Sequence, residues 1–353
     1  MTGLARSRGG VALLDLLVAT CVSLAALAVI GAVLPPVLDT VRAVPEAVDL
    51  HQRARAAERV VAAVVGAAGA GLDLLGDGPL STAVPGLLPR RVGSSSDPPG
   101  TAWADRFTAV SVPFAAAQAP LAQPVAPGAT VVALAWHPAC GGHPSCGFHK
   151  DDLVLLYARD GAMTLSVVAA ASGLVLTLDD AADQGIALPA VIAKVETTTM
   201  LFDPVRRQLR RADARAPSQP VVDDVVAMQV RYYGTAAPPR RPRVPGADTC
   251  AVAADGTPLL GMLGPVPGPP IELSAADFTD GPWCGSGAWR YDADLLRVRA
   301  VRLALRLQAT APSVRGVSPA WFAMPGTARR SGEEVRDVLV DLFASAPNLG
   351  WGQ

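Results

Sequence analysis

The chain has 353 residues, 50% of them hydrophobic and 17% charged, and its 30 basic residues nearly cancel its 31 acidic ones. This excludes a disordered chain, which would carry fewer apolar residues and more net charge, and it offers no basic block for a nucleic-acid partner. A polytopic membrane protein is excluded as well, because only one apolar run is long enough to cross a bilayer.

That run comes first. Residues 1–10 read MTGLARSRGG, with Arg6 and Arg8 and no acid. Val11 to Leu34 then reads VALLDLLVATCVSLAALAVIGAVL. At 1.5 Å per residue its roughly 24 residues make about 36 Å of helix, enough for a hydrocarbon core of about 30 Å. The arginines precede it, so the positive-inside rule keeps residues 1–10 in the cytoplasm and exports the chain beyond Leu34. A secretory signal peptide has a shorter core and a small-x-small cleavage site; here the run is long and ends at Pro35-Pro36. A plain signal anchor fits the length but leaves Asp15 unexplained, and an acid inside an apolar span is expensive and usually functional.

The decapeptide Gly10-Val11-Ala12-Leu13-Leu14-Asp15-Leu16-Leu17-Val18-Ala19 resembles the class III signal of type IV pilins and pseudopilins. In that family a basic leader ends in Gly, a prepilin peptidase cuts after it, and the new amine is methylated. The resemblance therefore implies cleavage between Gly10 and Val11, N-methylation of Val11, and an assembly role for the fifth mature residue, Asp15. The departures are Val11 for the usual Phe, Ala12 for Thr or Ser, and Asp15 for Glu. In pilins the acid pairs with the N-terminal amine of a neighbouring subunit. Because an unpaired buried charge is costly, such pairing gives assembly a direction and a register.

Beyond the membrane, residues 35–66 predict an exported amphipathic helix. Val37, Val41, Val44, Val48, Ala54 and Val60 form its apolar stripe, and Pro35-Pro36 and Pro45 are expected to kink or interrupt it. The run Gly66–Gly71 reads as a helix end. Residues 67–128 read as loop with short strands. Strand-like runs come next at Thr130–Trp136, Asp152–Tyr157, Met163–Val168, Leu174–Leu178, Ala190–Thr198, Thr199–Phe202, Ala227–Tyr233 and Val298–Gln308. Residues 235–290 are a Pro/Gly-rich insertion, and Gly332–Phe343 is ambiguous between strand and short helix.

A second resemblance lies in KVETTTMLFDPVRRQLRR to QPVVDDVVAMQVRYYG, residues 194–234, continued by VRAVRLALRL from Val298. This is similar to PilW-type minor pilins; GspJ-type pseudopilins of type II secretion share the large size and similar N-terminus.

Four of the five cysteines, Cys140, Cys146, Cys250 and Cys284, fall in the exported part, where an even number suggests disulfides. Four allow three pairings, and the local one, Cys140–Cys146 with Cys250–Cys284, is preferred. Cys21 lies in the apolar run. Residues 137–149 read HPACGGHPSCGFH, and His137, Cys140, His143, Cys146 and His149 recur every third position. That is a ligand inventory for zinc, but thiolates compete poorly with oxidation outside the cytoplasm, so a disulfide-closed loop with exposed histidines and no metal is preferred. Asp179, Asp180 and Asp183 lack EF-hand spacing and read as a solvated turn rather than a calcium site. The Asp pairs at 151–152 and 223–224 read as strand-edge turns.

No P-loop, G-x-S-x-G, H-E-x-x-H or dinucleotide fingerprint is present, so neither an enzyme nor a cofactor is expected. The sequence thus predicts an α+β fold: leader 1–10, transmembrane helix 11–34, exported helix 35–66, and a β-rich pilin-like domain over 67–353. The expected function is that of a minor pilin or pseudopilin of the bacterial inner membrane, with its N-terminus cytoplasmic and its domain periplasmic. Its expected partners are the prepilin peptidase and other pilins or pseudopilins. An anchored binding protein that never polymerises, or an anchored envelope enzyme, are the alternatives.

Overall fold

The computed structural model describes residues 9–72, 84–93, 95–158, 162–182, 185–214, 216–239, 250–253, 255, 257–265, 268–285, 287–310, 328–330, 333–335 and 337–349. Residues 1–8 of the expected leader 1–10, and Asp183, lie outside the described residues. The fold is α+β: one N-terminal helix, α1 (Gly9–Ala67), precedes a largely β domain.

Helix α1 is 59 residues long and runs through Pro35, Pro36 and Pro45 rather than stopping at them. A proline removes one N–H and crowds the carbonyl four residues back. Bending relieves that crowding as well as ending the helix does, and Ala-, Leu- and Val-rich turns on both sides favour continuation. The buried stripe also differs from the expected one. It consists of Leu50, Ala54, Ala57, Val61, Val64 and Val65, sharing Ala54 with the expected stripe, whereas Val41, Val44 and Val48 are exposed. In a helix this rich in Ala and Val several faces are apolar, so valine spacing alone does not choose among them; small alanines allow the closest backbone approach. The helix ends where the glycines begin. Gly69 and Gly71 both adopt φ +75, and a Cβ on Gly71 would lie 1.9 Å from the Val112 carbonyl oxygen.

In chain order the first strands are β1 (Leu87–Leu88), β2 (Arg106–Ser111), β3 (Gln118–Pro120), β4 (Val131–Ala133), β5 (Leu153–Ala158), β6 (Met163–Ser172), β7 (Val175–Leu178) and β8 (Ala190–Lys194). Next come β9 (Glu196–Asp203), β10 (Gln208–Asp213), β11 (Gln219–Asp223), β12 (Val225–Gly234), β13 (Ile271–Leu273), β14 (Trp283–Cys284) and β15 (Tyr291–Asp292). The last are β16 (Val298–Gln308), β17 (Ala328–Arg330), β18 (Glu333–Val335) and β19 (Asp337–Ser345).

The chain divides into two compact units. One holds residues 1–52 and 308–338. In it the Thr310 N–H donates to the Glu46 carboxylate, and β17 pairs with β18 as a hairpin. The other holds residues 53–307 and 339–353. It contains a five-stranded sheet in the order β1-β2-β9-β10-β11, a four-stranded sheet β13-β12-β16-β19, and a six-stranded sheet β3-β8-β5-β6-β7-β4. Arg53 of α1 reaches the turn between β11 and β12, donating to the Asp223 carbonyl at 3.2 Å and pairing with Asp224 at 3.6 Å. Strands β12 and β16 alternate as half-buried strands do: Met228, Val230 and Tyr232, with Leu303, Leu305 and Leu307, point inward.

The six-stranded sheet closes on itself. Beyond their ends its two outer strands join: the Ala122 N–H donates to Ala133 O at 2.9 Å, and the Ala135 N–H donates to Pro120 O at 2.8 Å. The result is a small antiparallel barrel, closed at one bridge between Leu121 and Leu134. Its interior is filled by a cluster that includes Leu121, Val132, Leu134, Phe148, Val154, Leu156, Leu176 and Ile192. A barrel of this size packs its interior with side chains rather than a ligand.

Several boundaries differ from the sequence reading. The apparent strand Ala190–Thr198 breaks at Val195, where the chain passes from the barrel into the five-stranded sheet. Thr130–Trp136 supplies only Val131–Ala133 to β4, while β6 extends to Ser172. The "L-R-R" stretch is a strand, β10, paired with β9. The ambiguous Gly332–Phe343 region is strand wherever it is described. The Asp151–Asp152 pair does stand at a strand edge, directly before β5, but the Asp152 carboxylate is buried, accepts the His149 N–H at 2.7 Å and lies 3.1 Å from the Lys194 ammonium.

Candidate assembly site on the N-terminal helix

The apolar segment that matters most is Leu13–Leu34, 22 residues of mean hydropathy 2.6 with none of that surface buried. Among the described residues it is the one helix segment long and apolar enough to cross a membrane. Its polar side chains are treated unequally. The Thr20 hydroxyl donates to its own backbone, at 3.0 Å to Leu16 O and 2.9 Å to Leu17 O, so it needs no outside partner. Asp15 is the segment's one charged residue and is exposed. Among the described residues nothing donates to it. A carboxylate within an apolar helix face asks for a cation from outside that helix. Gly10 and Val11 lie within the first turns of α1, so the proposed scissile bond is helical here.

Apart from Cys21 in α1, the other residues singled out in the sequence sit far from that helix in the chain, in three places. Cys140 and Cys146 are bonded to each other, as are Cys250 and Cys284; Cys21 is free and exposed. With its sulfurs bonded, the 137–149 loop has no thiolate to offer a metal. Cys140, Cys146 and Phe148 are buried in the barrel cluster, which leaves His137, His143 and His149 on the exposed side of the loop. Left-handed turns at Cys146 (φ 51) and at Gly141, Gly142 and Gly147 let the chain fold this tightly. Asp179 and Asp180 are exposed, and Ser166 Oγ lies 3.2 Å from both the N–H and the carbonyl of Asp180.

Sequence reasoning missed a buried polar cluster at the base of the Pro/Gly-rich insertion. Arg297 is 1% exposed and donates from Nη1 to Ala236 O at 2.7 Å and from Nη2 to Gly261 O. Its Nε faces the Asp294 carboxylate. Asp292 accepts the Asp294 N–H at 2.9 Å and the Gly281 N–H at 2.6 Å. Burial raises the Asp294 carboxyl to about 6, although Arg297 opposes the shift; burial likewise raises Asp292 and lowers Arg297. The carboxylates of Asp280, Asp292 and Asp294 approach within 4.8 Å of one another. The capping bonds and the Arg297 pair account for the two buried ones. A cap residue directly before Ala-Asp-Leu-Leu-Arg was the available signal. Gly234 lets the chain pass this cluster: a Cβ there would lie 2.3 Å from Arg297 O.

Compared with protein-family models, curated proteins and solved structures, the chain matches none.

Proposed function

We propose that the protein is a minor pilin or pseudopilin, a structural subunit of a type IV pilus or of a type II secretion pseudopilus. The observation that carries the reading is the register of its N-terminus. A basic leader ends at Gly10, an apolar segment with no buried surface comes next, and the single acid of that segment stands fifth after the glycine. In this reading the peptidase cuts between Gly10 and Val11 on the cytoplasmic side, and the Val11 amine is methylated. The segment Leu13–Leu34 anchors the chain once in the inner membrane, with the β domain in the periplasm. Asp15 then supplies the anion that a neighbouring subunit's N-terminal cation meets. In lipid neither charge finds water, so the pair forms where two helices adopt the matching offset. No enzymatic step and no cofactor enter this account.

Two physical features support the reading. The helix continues without a break from the apolar segment to Ala67, and among its described side chains the fully buried ones begin at Leu50. The segment Leu13–Leu34, with none of its surface buried, is open to other helices. The test is Gly10→Ala in the native host. The expected result is a precursor about 1 kDa heavier than the mature protein and absent from sheared pilus or pseudopilus fractions. Asp15→Ala should leave processing and membrane insertion intact and reduce recovery in those fractions. A Gly10→Ala chain that matures and assembles normally would overturn the proposal.

A further inference from the structure

Strands β2 and β9 are neighbours in the five-stranded sheet, paired antiparallel from Arg106↔Leu201 to Ser111↔Glu196. They are the two arms of a hairpin, yet no turn joins them. Between Ser111 and Glu196 the chain leaves the sheet, builds the whole six-stranded barrel, and returns. The barrel's core cluster is drawn entirely from residues 119–192, and its disulfide, Cys140–Cys146, begins and ends inside the same stretch. We infer that residues 112–195 are an inserted domain and a separate cooperative unit, able to open without opening the sheets that carry it.

Three observations support this. First, closure satisfies the barrel's backbone internally. Each strand pairs within residues 118–194, and the outer strands are joined by their own two hydrogen bonds. Second, the joint between barrel and host contains a small cavity. Leu153 and Leu165 of the barrel face Leu88, Val110 and Tyr291 of the host across a small void. The hydroxyl of Thr197, which also lines that void, is buried with no hydrogen-bond partner among the described residues. A gap forfeits contact energy, and an unsatisfied hydroxyl carries its desolvation cost, so the joint contributes less than continuous packing would. Third, the connection consists of the segment 112–117 and the single residue Val195, which leaves the two arms of the host hairpin paired by their own register. Because β8 and β9 are separated by that one residue, the barrel is nonetheless held in a fixed direction. This inference does not depend on the assembly role of α1.

Peptide-level hydrogen exchange on the full-length chain in detergent micelles tests it, using one variant in each core. Leu156 is 0% exposed in the barrel, and Leu303 is 0% exposed in the host. Leu156→Ala should speed exchange in β5, β6, β7 and β8 by tenfold or more, roughly, and change β10, β12 and β16 by less than about twofold. Leu303→Ala should speed exchange in β12 and β16 and leave β5 to β7 within the same narrow limit. If Leu156→Ala does not accumulate, Ile192→Val asks the same question at smaller amplitude. Similar acceleration of both sets of strands by the barrel variant would overturn the inference, because it would mean one cooperative unit.

Discussion

The barrel and the Pro/Gly-rich insertion are held mainly by different means. The barrel's core is a broad apolar cluster with a single buried carboxylate beside it, Asp152, held by the His149 N–H and Lys194. The described part of the insertion has little sheet of its own. Its carbonyls at Ala236 and Gly261 are held by one buried guanidinium, its Gly281 N–H by Asp292, and its Cys250 by the disulfide to Cys284. Apolar packing is spread over many side chains, so the loss of one is shared. A polar staple concentrates the same task in a few atoms, and removing one leaves its partners buried and unpaired.

The largest expected effect comes from that difference. Arg297→Ala should destabilise the protein by about 3–5 kcal/mol, because it strands Asp294 and two carbonyls in the interior. Chemical denaturation of the purified chain would measure it. A loss below about 1 kcal/mol would mean that the staple is not the main support of the insertion. Next comes the long disulfide. Replacing both Cys250 and Cys284 by serine releases a loop with a sequence separation of 34 and should cost about 3–4 kcal/mol. The pair Cys140 and Cys146 spans a separation of only 6, so its removal should cost less, about 2 kcal/mol, and act on the barrel alone.

A pH effect of similar size separates the two regions. The Asp294 carboxyl is raised to about 6, so the folded chain holds its proton more tightly than the unfolded chain does. Its contribution is fully present below the unfolded carboxylate range near about 4 and is lost as pH rises through about 6. Unfolding free energy should fall by on the order of 2 kcal/mol across that window, and Asp294→Asn should flatten the dependence. The barrel variants should keep it.

Legibility in the sequence divides along the same line. Val298–Gln308 was readable end to end because its alternation is carried by Val, Leu and Arg over eleven residues. The apolar run was readable because its length and lack of charge have few other meanings. The register of the exported helix was not, since alanine and valine give no contrast between faces. Arg106–Ser111 was hidden because its partner strand lies across the whole barrel, at Glu196–Asp203. Barrel closure depends on Leu121 meeting Leu134, a pairing that no local pattern encodes. Arg297 and Asp294 were missed for a related reason: a buried ion pair looks, in sequence, like any exposed i,i+3 pair.

The most direct test of the functional account is the intact mass of the protein purified from its native membrane. The account predicts a chain that begins at Val11, lighter than the precursor by residues 1–10 and heavier by one methyl group. A mature protein beginning at Met1 or Thr2 would contradict it and leave a single-pass anchored protein that is not processed for assembly.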